Sequence, residues 1–283
     1  MLRAALPIVL AVVAVGSSGG CGEYRAPGPS AQRLVVVTPS LAEIVFAIGR
    51  GDRVVGVSDY CAYPPDAAKK PKIGGLVNPN LERILALRPD LVLVDSDPVG
   101  LVGRLRAAGV RSLVLRSESL QDVDRAIERL GKELGAEGAA GRLRRGTSRD
   151  LDAVRARVHG KAPLRVLFVV DRRPGRIQDV YAIGRRSFLS EILEIAGGTN
   201  VVEADRGAVP MSTEALIASG AEVIFDATRD PAGTAPWREL SSLPAVRADR
   251  VVPAHDSAFT IPGPRIPRAA ARIARALHPE ATP

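Results

Sequence analysis

The feature that most constrains this chain is that it nearly repeats itself. LERILALRPDLVLV (81–94) aligns without gaps on TEALIASGAEVIFD (213–226). Glu82 falls on Glu214, Ile84 on Leu216, Leu85 on Ile217, Ala86 on Ala218 and Asp90 on Glu222, while Leu91, Val92 and Leu93 fall on Val223, Ile224 and Phe225. EIVFAIGRGD (43–52) likewise matches EILEIAGGTN (191–200), with Gly49 on Gly197 and Asp52 on Asn200. Self-similarity of this kind marks two supersecondary units of one design. Two related halves, each with a helix leading into a strand, are expected.

Around the repeat, short β-branched runs alternate with helical patterns, which predicts βαβ units and largely parallel sheets. The strands are LVVV (34–37), RVVGV (53–57), LVLV (91–94), LRVLFVV (164–170) and VIFD (223–226). Ser40 with Glu43 three residues on reads as a capping box opening the first helix, Asn80 as the cap of the next, and a further helix is expected over Phe188 to Ala196. Between the halves, residues 138–160 carry Leu143, Leu151, Val154 and Val158 on a sparse apolar stripe, predicting one long connecting helix of about six turns. The fold class is therefore α/β: two Rossmann-like lobes, 33–137 and 161–283, with mostly parallel sheets joined by that helix. A continuous helix lacks the loop hinges that absorb large dihedral changes, so only slight lobe closure is expected.

The amino terminus reads as an export signal. Arg3 precedes an apolar run from Ala4 to Val15, then small residues end at Cys21. The run is shorter than the roughly 20 residues that span a bilayer. Small residues before a cysteine resemble a lipobox, although Ser18 stands where that motif usually carries Leu. Residues 1–20 are then a signal peptide, Cys21 the lipidated first residue of the mature protein, and 21–32 a Gly-, Pro- and Ala-rich tether. Cys61 is the only other cysteine, so acylation of Cys21 rules out an intrachain disulfide. The formal charge of +8 is spread along the chain with no basic run interleaved with aromatics, which argues against nucleic acid and fits attraction to anionic lipid.

Catalytic signatures such as GxGxxG after a strand, GxxxxGK[ST], GxSxG and HExxH are missing. His159, His255 and His278 lie far apart in sequence, so neither a metal nor another cofactor is assigned, and no enzyme activity is expected. Arg172 and Arg173, just after LFVVD, are read either as meeting an anionic group or as solvated surface arginines.

The stretch VGVSDYCAYPPDAAKKPKIGGLVNPNLERILALRPDLVLVD (55–95) resembles the helical-backbone periplasmic binding proteins of ABC importers, especially the vitamin B12 receptors. The resemblance extends from about Arg33 to Leu277 and includes an AGG-x-N turn (196–200) and a Ser-x-Glu helix start (Ser212 to Glu214). It implies a ligand held between the lobes beyond the carboxyl ends of strands. The loops 38–40, 58–65 and 74–80 would edge one wall, and 254–265 the other. Pro39, Tyr60, Tyr63 and Leu76 are the ligand candidates on the first wall, and Asp256, Ser257 and Phe259 on the second. The alternative reading of Tyr60 and Tyr63 is packing on Pro64 and Pro65. Leu76 and Ala208 stand where the B12 receptors carry tryptophans, which thins the aromatic cage. Leu76 also replaces the tyrosine of the haem receptors, excluding iron ligation from that position. The cargo expected from the resemblance is cobalamin or a related corrinoid, then a ferric siderophore, then haem.

In that family, acidic residues at the places of Glu82 and Glu214 dock into arginine pockets of the membrane permease. One carboxylate per lobe gives a two-point bracket, and complementary charge sets encounter rate and register. Acidic residues in a first helical turn also stabilise the helix dipole, and both roles can coexist. A monomer that is exported, lipid-anchored, and bound to small-molecule cargo and permease subunits follows. Two rivals come from other classes. A two-lobed metal-cluster enzyme needs several thiolates per site, which Cys61 alone cannot supply. A lipid-anchored interaction module without cargo is the other.

Overall fold

The computed structural model describes residues 31–97 and 99–281. The proposed signal peptide and Cys21 lie outside the described residues. No helix among the described residues is long and apolar enough to cross a membrane.

The first lobe runs β1 (Leu34–Val36), α1 (Pro39–Ala47), β2 (Val54–Val57), α2 (Pro65–Ala68), α3 (Leu81–Ala86), β3 (Leu91–Val94), α4 (Leu101–Ala107), β4 (Arg111–Val114) and α5 (Leu120–Glu133). Its four strands pair in the order β2-β1-β3-β4, all parallel. A single helix, α6 (Glu137–Arg157), then crosses to the second lobe. There the order is β5 (Leu164–Asp171), β6 (Val180–Ile183), α7 (Phe188–Ile195), β7 (Gly198–Asn200), β8 (Ala208–Met211), α8 (Thr213–Ala218), β9 (Val223–Asp226), α9 (Pro244–Arg247), β10 (Val251–Pro253) and α10 (Ile266–Leu277). The sheet order is β10-β9-β5-β6-β8 with β7 also on β5, and β6 pairs antiparallel with both its neighbours. The fold is α/β with mostly parallel strands.

Strand alternation explains why both sheets are covered on both faces. Leu34 and Val36 of β1 point into one buried cluster, Val35 and Val37 into another; Val166 and Phe168 of β5 oppose Leu167 and Val169 in the same way. The inner cluster is continuous between lobes. It runs from Leu34, Leu41 and Leu93 through Leu130, Leu151 and Val154 to Phe168, Phe225 and Ile273. The connecting helix is therefore packed along its length rather than bare. Arg144 on α6 also grips Asp124 of α5 through two bonds of 2.7 and 2.6 Å and Glu128 at 3.2 Å.

The repeat is visible in the fold. α3 with β3 and α8 with β9 occupy the two aligned segments, capped by the Asn80 carbonyl and the Ser212 hydroxyl, which accept the N–H groups of Arg83 and Ala215. α1 and α7 end in matched glycines, Gly49 (φ 74°) and Gly197 (φ 83°), where a left-handed residue closes the helix.

The capping box expected at Ser40 is not there. Pro39 takes the first helical turn, so Thr38 becomes the N-cap, and it makes no side-chain cap bond. Ser40 and Glu43 are buried and bond elsewhere. The capping box that does form joins Ser119 and Asp122 at the start of α5.

Candidate ligand cleft

Parallel pairing sends the segments after β1, β2, β3 and β4 out of one edge of the first sheet. The strand order puts the 58–65 loop at one end of that edge and Ser117–Glu118 at the other. Three strand spacings separate them, about 14 Å.

The β2 end is apolar. Tyr60 is 62% exposed, Val77 67% and Leu76 36%, and Tyr63 is exposed as well. These side chains are held together by backbone. The Asp59 N–H donates to the Gly74 carbonyl at 3.0 Å, and Gly74 and Pro79 form a bridge that closes the 74–80 loop ahead of α3. Gly74 has φ +97°, and a Cβ there would stand 3.1 Å from the Asn78 carbonyl, so this turn requires glycine. The Tyr60 ring lies 3.7 Å from where a Gly75 Cβ would be, which brings Tyr60 beside the Leu76 loop. Pro39 is half-buried at the head of α1. Cys61 is fully buried with its Sγ 3.4 Å from the Ser58 hydroxyl, and burial pushes its thiol pKa up, so it is an inert core residue.

Facing this end is the 254–265 loop, and here the structure changes the expected roles. Phe259 is not a cleft residue. It is 2% exposed, packed 6.3 and 6.4 Å from the rings of Phe168 and Phe225 and covered by Arg272. Asp256 is tied down rather than free: Arg272 reaches it at 2.7 Å, Arg268 at 3.4 Å and Arg265 at 3.5 Å. The Ala258 N–H, and then these arginines, hold its carboxyl below the usual aspartate range despite partial burial. Ser257 is half-buried and its hydroxyl accepts from Arg265 at 3.1 Å.

Arg265 joins the lobes at this end of the cleft, and the sequence pattern contains no sign of it. Its guanidinium forks onto the Glu43 carboxylate of α1, with Nε to Oε2 at 2.9 Å and Nη2 to Oε1, and it lies 4.2 Å over the Tyr63 ring. Burial pushes the Glu43 carboxyl up, and Arg265 offsets part of that rise. Tyr63 is thus engaged by the opposite lobe. On the far side of the seam, the repeat partner of Glu43 does the converse: Glu191 of α7 accepts the Leu120 N–H at the start of α5, at 3.0 Å.

The other end of the edge opens into a cavity of about 630 Å³. Asp95, Ser96, Ser117 and Glu118 line it from the first lobe, and Arg186, Asp205 and Arg206 from the second. None of these residues was a candidate from the sequence, because they come from four separate loops with no shared motif. The lobes touch at its floor, where the Phe188 N–H donates to the Glu118 carbonyl at 2.7 Å.

Glu82 and Glu214 are both exposed, in the first turns of α3 and α8. Glu82 follows the 74–80 loop, and Glu214 follows β8, which begins directly after the cavity residues Asp205 and Arg206. Hydrogen bonds from its own backbone N–H and from Ser212 hold the Glu214 carboxyl below its ordinary pKa. Arg172 is neither an anion site nor a surface arginine. It is buried and bonded to Asp226 at 2.7 Å and Asp230 at 2.6 Å, with Trp237 donating to Asp226 at 2.8 Å. Arg173 is exposed and pairs with Asp179.

A two-lobed α/β chain with a spanning helix and a cleft between unlike walls is the architecture of a solute-binding protein. The family model described as periplasmic binding protein matches residues 34–258, and the chain belongs to that family. It is 29% identical over 258 residues to an uncharacterized ABC transporter substrate-binding lipoprotein, YvrC, of Bacillus subtilis (strain 168), covering 88% of this chain and 81% of that one. Among solved structures it resembles the periplasmic vitamin B12 binding protein BtuF of Vibrio cholerae, with TM-score 0.76, 25% identity, and coverage of 88% of this chain and 97% of that one. It also resembles the periplasmic heme-binding protein RhuT from Roseiflexus sp. RS-1 in apo form, with TM-score 0.78, 26% identity, and coverage of 89% and 99%. The family consists of substrate-binding transport proteins rather than enzymes, and membership implies export, a small-molecule ligand and an ABC permease partner.

Proposed function

We propose that the chain is the substrate-binding lipoprotein of an ABC importer, anchored through Cys21, and that it binds cobalamin or a related corrinoid between its lobes. The observation that carries this is the unlike pair of ends on one cleft edge. Tyr60, Leu76 and Val77 offer a bare apolar wall, and two to three strand spacings away, about 10–14 Å, the rim turns polar at Asp95, Ser96 and Glu118. A macrocycle with apolar faces and a hydrogen-bonding rim fits a wall divided in that way. Pro39 and Ser257 border the same space. Glu82 and Glu214, one on each lobe, dock the loaded monomer onto the permease. A ferric siderophore or haem is the competing cargo, and the likeness to a heme-binding structure favours it.

Calorimetric titration of the purified chain with cyanocobalamin, a ferric hydroxamate and haemin separates these readings. Micromolar or tighter binding of cobalamin alone is expected. Silence towards all three would sink the importer reading and leave a cargo-free interaction module.

A further inference from the structure

The polar end of the cleft has a charge arrangement that bears on which chemical groups the cargo presents there. Most side chains around the 630 Å³ cavity are polar or charged, with Phe188 and Pro262 the apolar exceptions. The carboxylates are not distributed evenly. Asp95 and Glu118 stand on the first lobe, one leaving β3 and the other just ahead of α5. Opposite them, Arg186 already pairs with Asp205 at 3.1 Å. Among the described residues, Glu118 and Arg206 have no ion-pair partner. The first-lobe wall is therefore acceptor-rich and unneutralised.

We propose that Asp95 and Glu118 select cargo that presents neutral hydrogen-bond donors, primary carboxamides above all, to the first-lobe wall and reject cargo that presents carboxylates there. The inference rests on the transport reading and narrows its cargo class. An amide N–H meeting a carboxylate makes a charge-assisted bond, whereas a ligand carboxylate at the same place meets like charge in a partly desolvated cavity. Burial raises the Asp95 carboxyl's pKa, the Ser96 hydroxyl and nearby backbone N–H groups offset part of that rise, and the Glu118 charge adds a little. A corrinoid rimmed with amides satisfies the wall. The two propionates of haem do not, unless they turn toward Arg206.

The test is a comparison of congeners on the full chain. Cobalamin and its monocarboxylates, made by hydrolysing single side-chain amides, are titrated into the wild type and into Asp95→Asn combined with Glu118→Gln. The wild type should bind cobalamin about tenfold more tightly than at least one monocarboxylate, and the double variant should close that gap to within about threefold. Equal wild-type affinities for all congeners would overturn the inference, as would a gap that survives in the variant. If no corrinoid binds, haem and its diamide replace them, with the diamide expected to bind tighter. A preference for free haem then refutes the selector but leaves transport standing; no binding of either scaffold or of a ferric hydroxamate removes the transport reading as well.

Discussion

Glu43 and Glu191 occupy the same place in the two halves, and comparing them shows equivalent positions making unlike contacts across the seam. Both lie on the helix that ends in a left-handed glycine, and both reach across to the other lobe. Glu43 meets a guanidinium, forked and almost wholly buried. Glu191 meets a single backbone N–H. One side of the seam is pinned by a salt bridge surrounded by Tyr63, Ser257 and Asp256, and the other by a helix cap. The sheets diverge in the same way: four parallel strands in one lobe, and in the other a mixed sheet whose antiparallel β6 and β8 flank the loops that line the polar cavity. The two halves share a frame, and the cleft is lined by what differs between them.

The comparison can be broken by substitution. The largest effect is expected inside the second lobe, where Arg172→Leu strands two buried carboxylates; a loss of about 3–5 kcal/mol in urea unfolding is predicted. Arg265→Ala should cost about 3 kcal/mol at neutral pH because Glu43 is left buried and unpaired. That cost has a definite pH dependence. A carboxyl whose pKa is raised by folding stabilises the folded state when protonated and loses that contribution as pH rises through the raised value, so unfolding at about pH 5 should show a smaller cost than at about pH 8. Asp256 acts oppositely, since its lowered pKa withdraws stability only as pH falls below the ordinary aspartate range. Glu191→Ala should cost about 1 kcal/mol, the worth of a helix cap, and because burial raises the Glu191 carboxyl, that cost should shrink rather than grow as pH rises. If the two glutamate seams respond alike, the contrast drawn between them fails. The smallest change in stability is expected for Glu82→Ala combined with Glu214→Ala, both exposed in first helical turns. Cargo affinity should be untouched there while capture by permease-containing vesicles falls about tenfold; equal loss of both would merge the docking and binding surfaces.

Much of the frame was legible in the sequence because it rests on local pattern. The β-branched runs mark β1, β2, β3, β5 and β9 to within a residue or two, and the apolar stripe expected over 138–160 corresponds to a helix over Glu137–Arg157. The antiparallel strands β6 and β8 escaped notice: VYAI and AVPM are short, each with exposed positions, and the second contains Pro210. The cleft was harder to read. Glu43 looked like half of a local capping box, yet its partner Arg265 is 222 positions away, beyond the reach of any local pattern. Phe259 was a candidate contact from its loop position, and only the positions of Phe168 and Phe225 make it core. Asp95, Glu118 and Arg206 become a site only when strand order brings their loops together. Burial within a strand follows from alternation, whereas convergence of loops follows from topology.

The most direct measurement is hydrogen–deuterium exchange of the full chain with and without saturating cobalamin. Protection should rise in the 58–65 and 74–80 loops of one lobe and around Arg186 to Phe188 and Asp205 to Gly207 of the other, while amides of α6 and near the Glu43 and Glu191 contacts stay as they were. Protection confined to a single lobe, or a slowing of exchange through α6, would contradict a cargo gripped between two walls on a fixed spine.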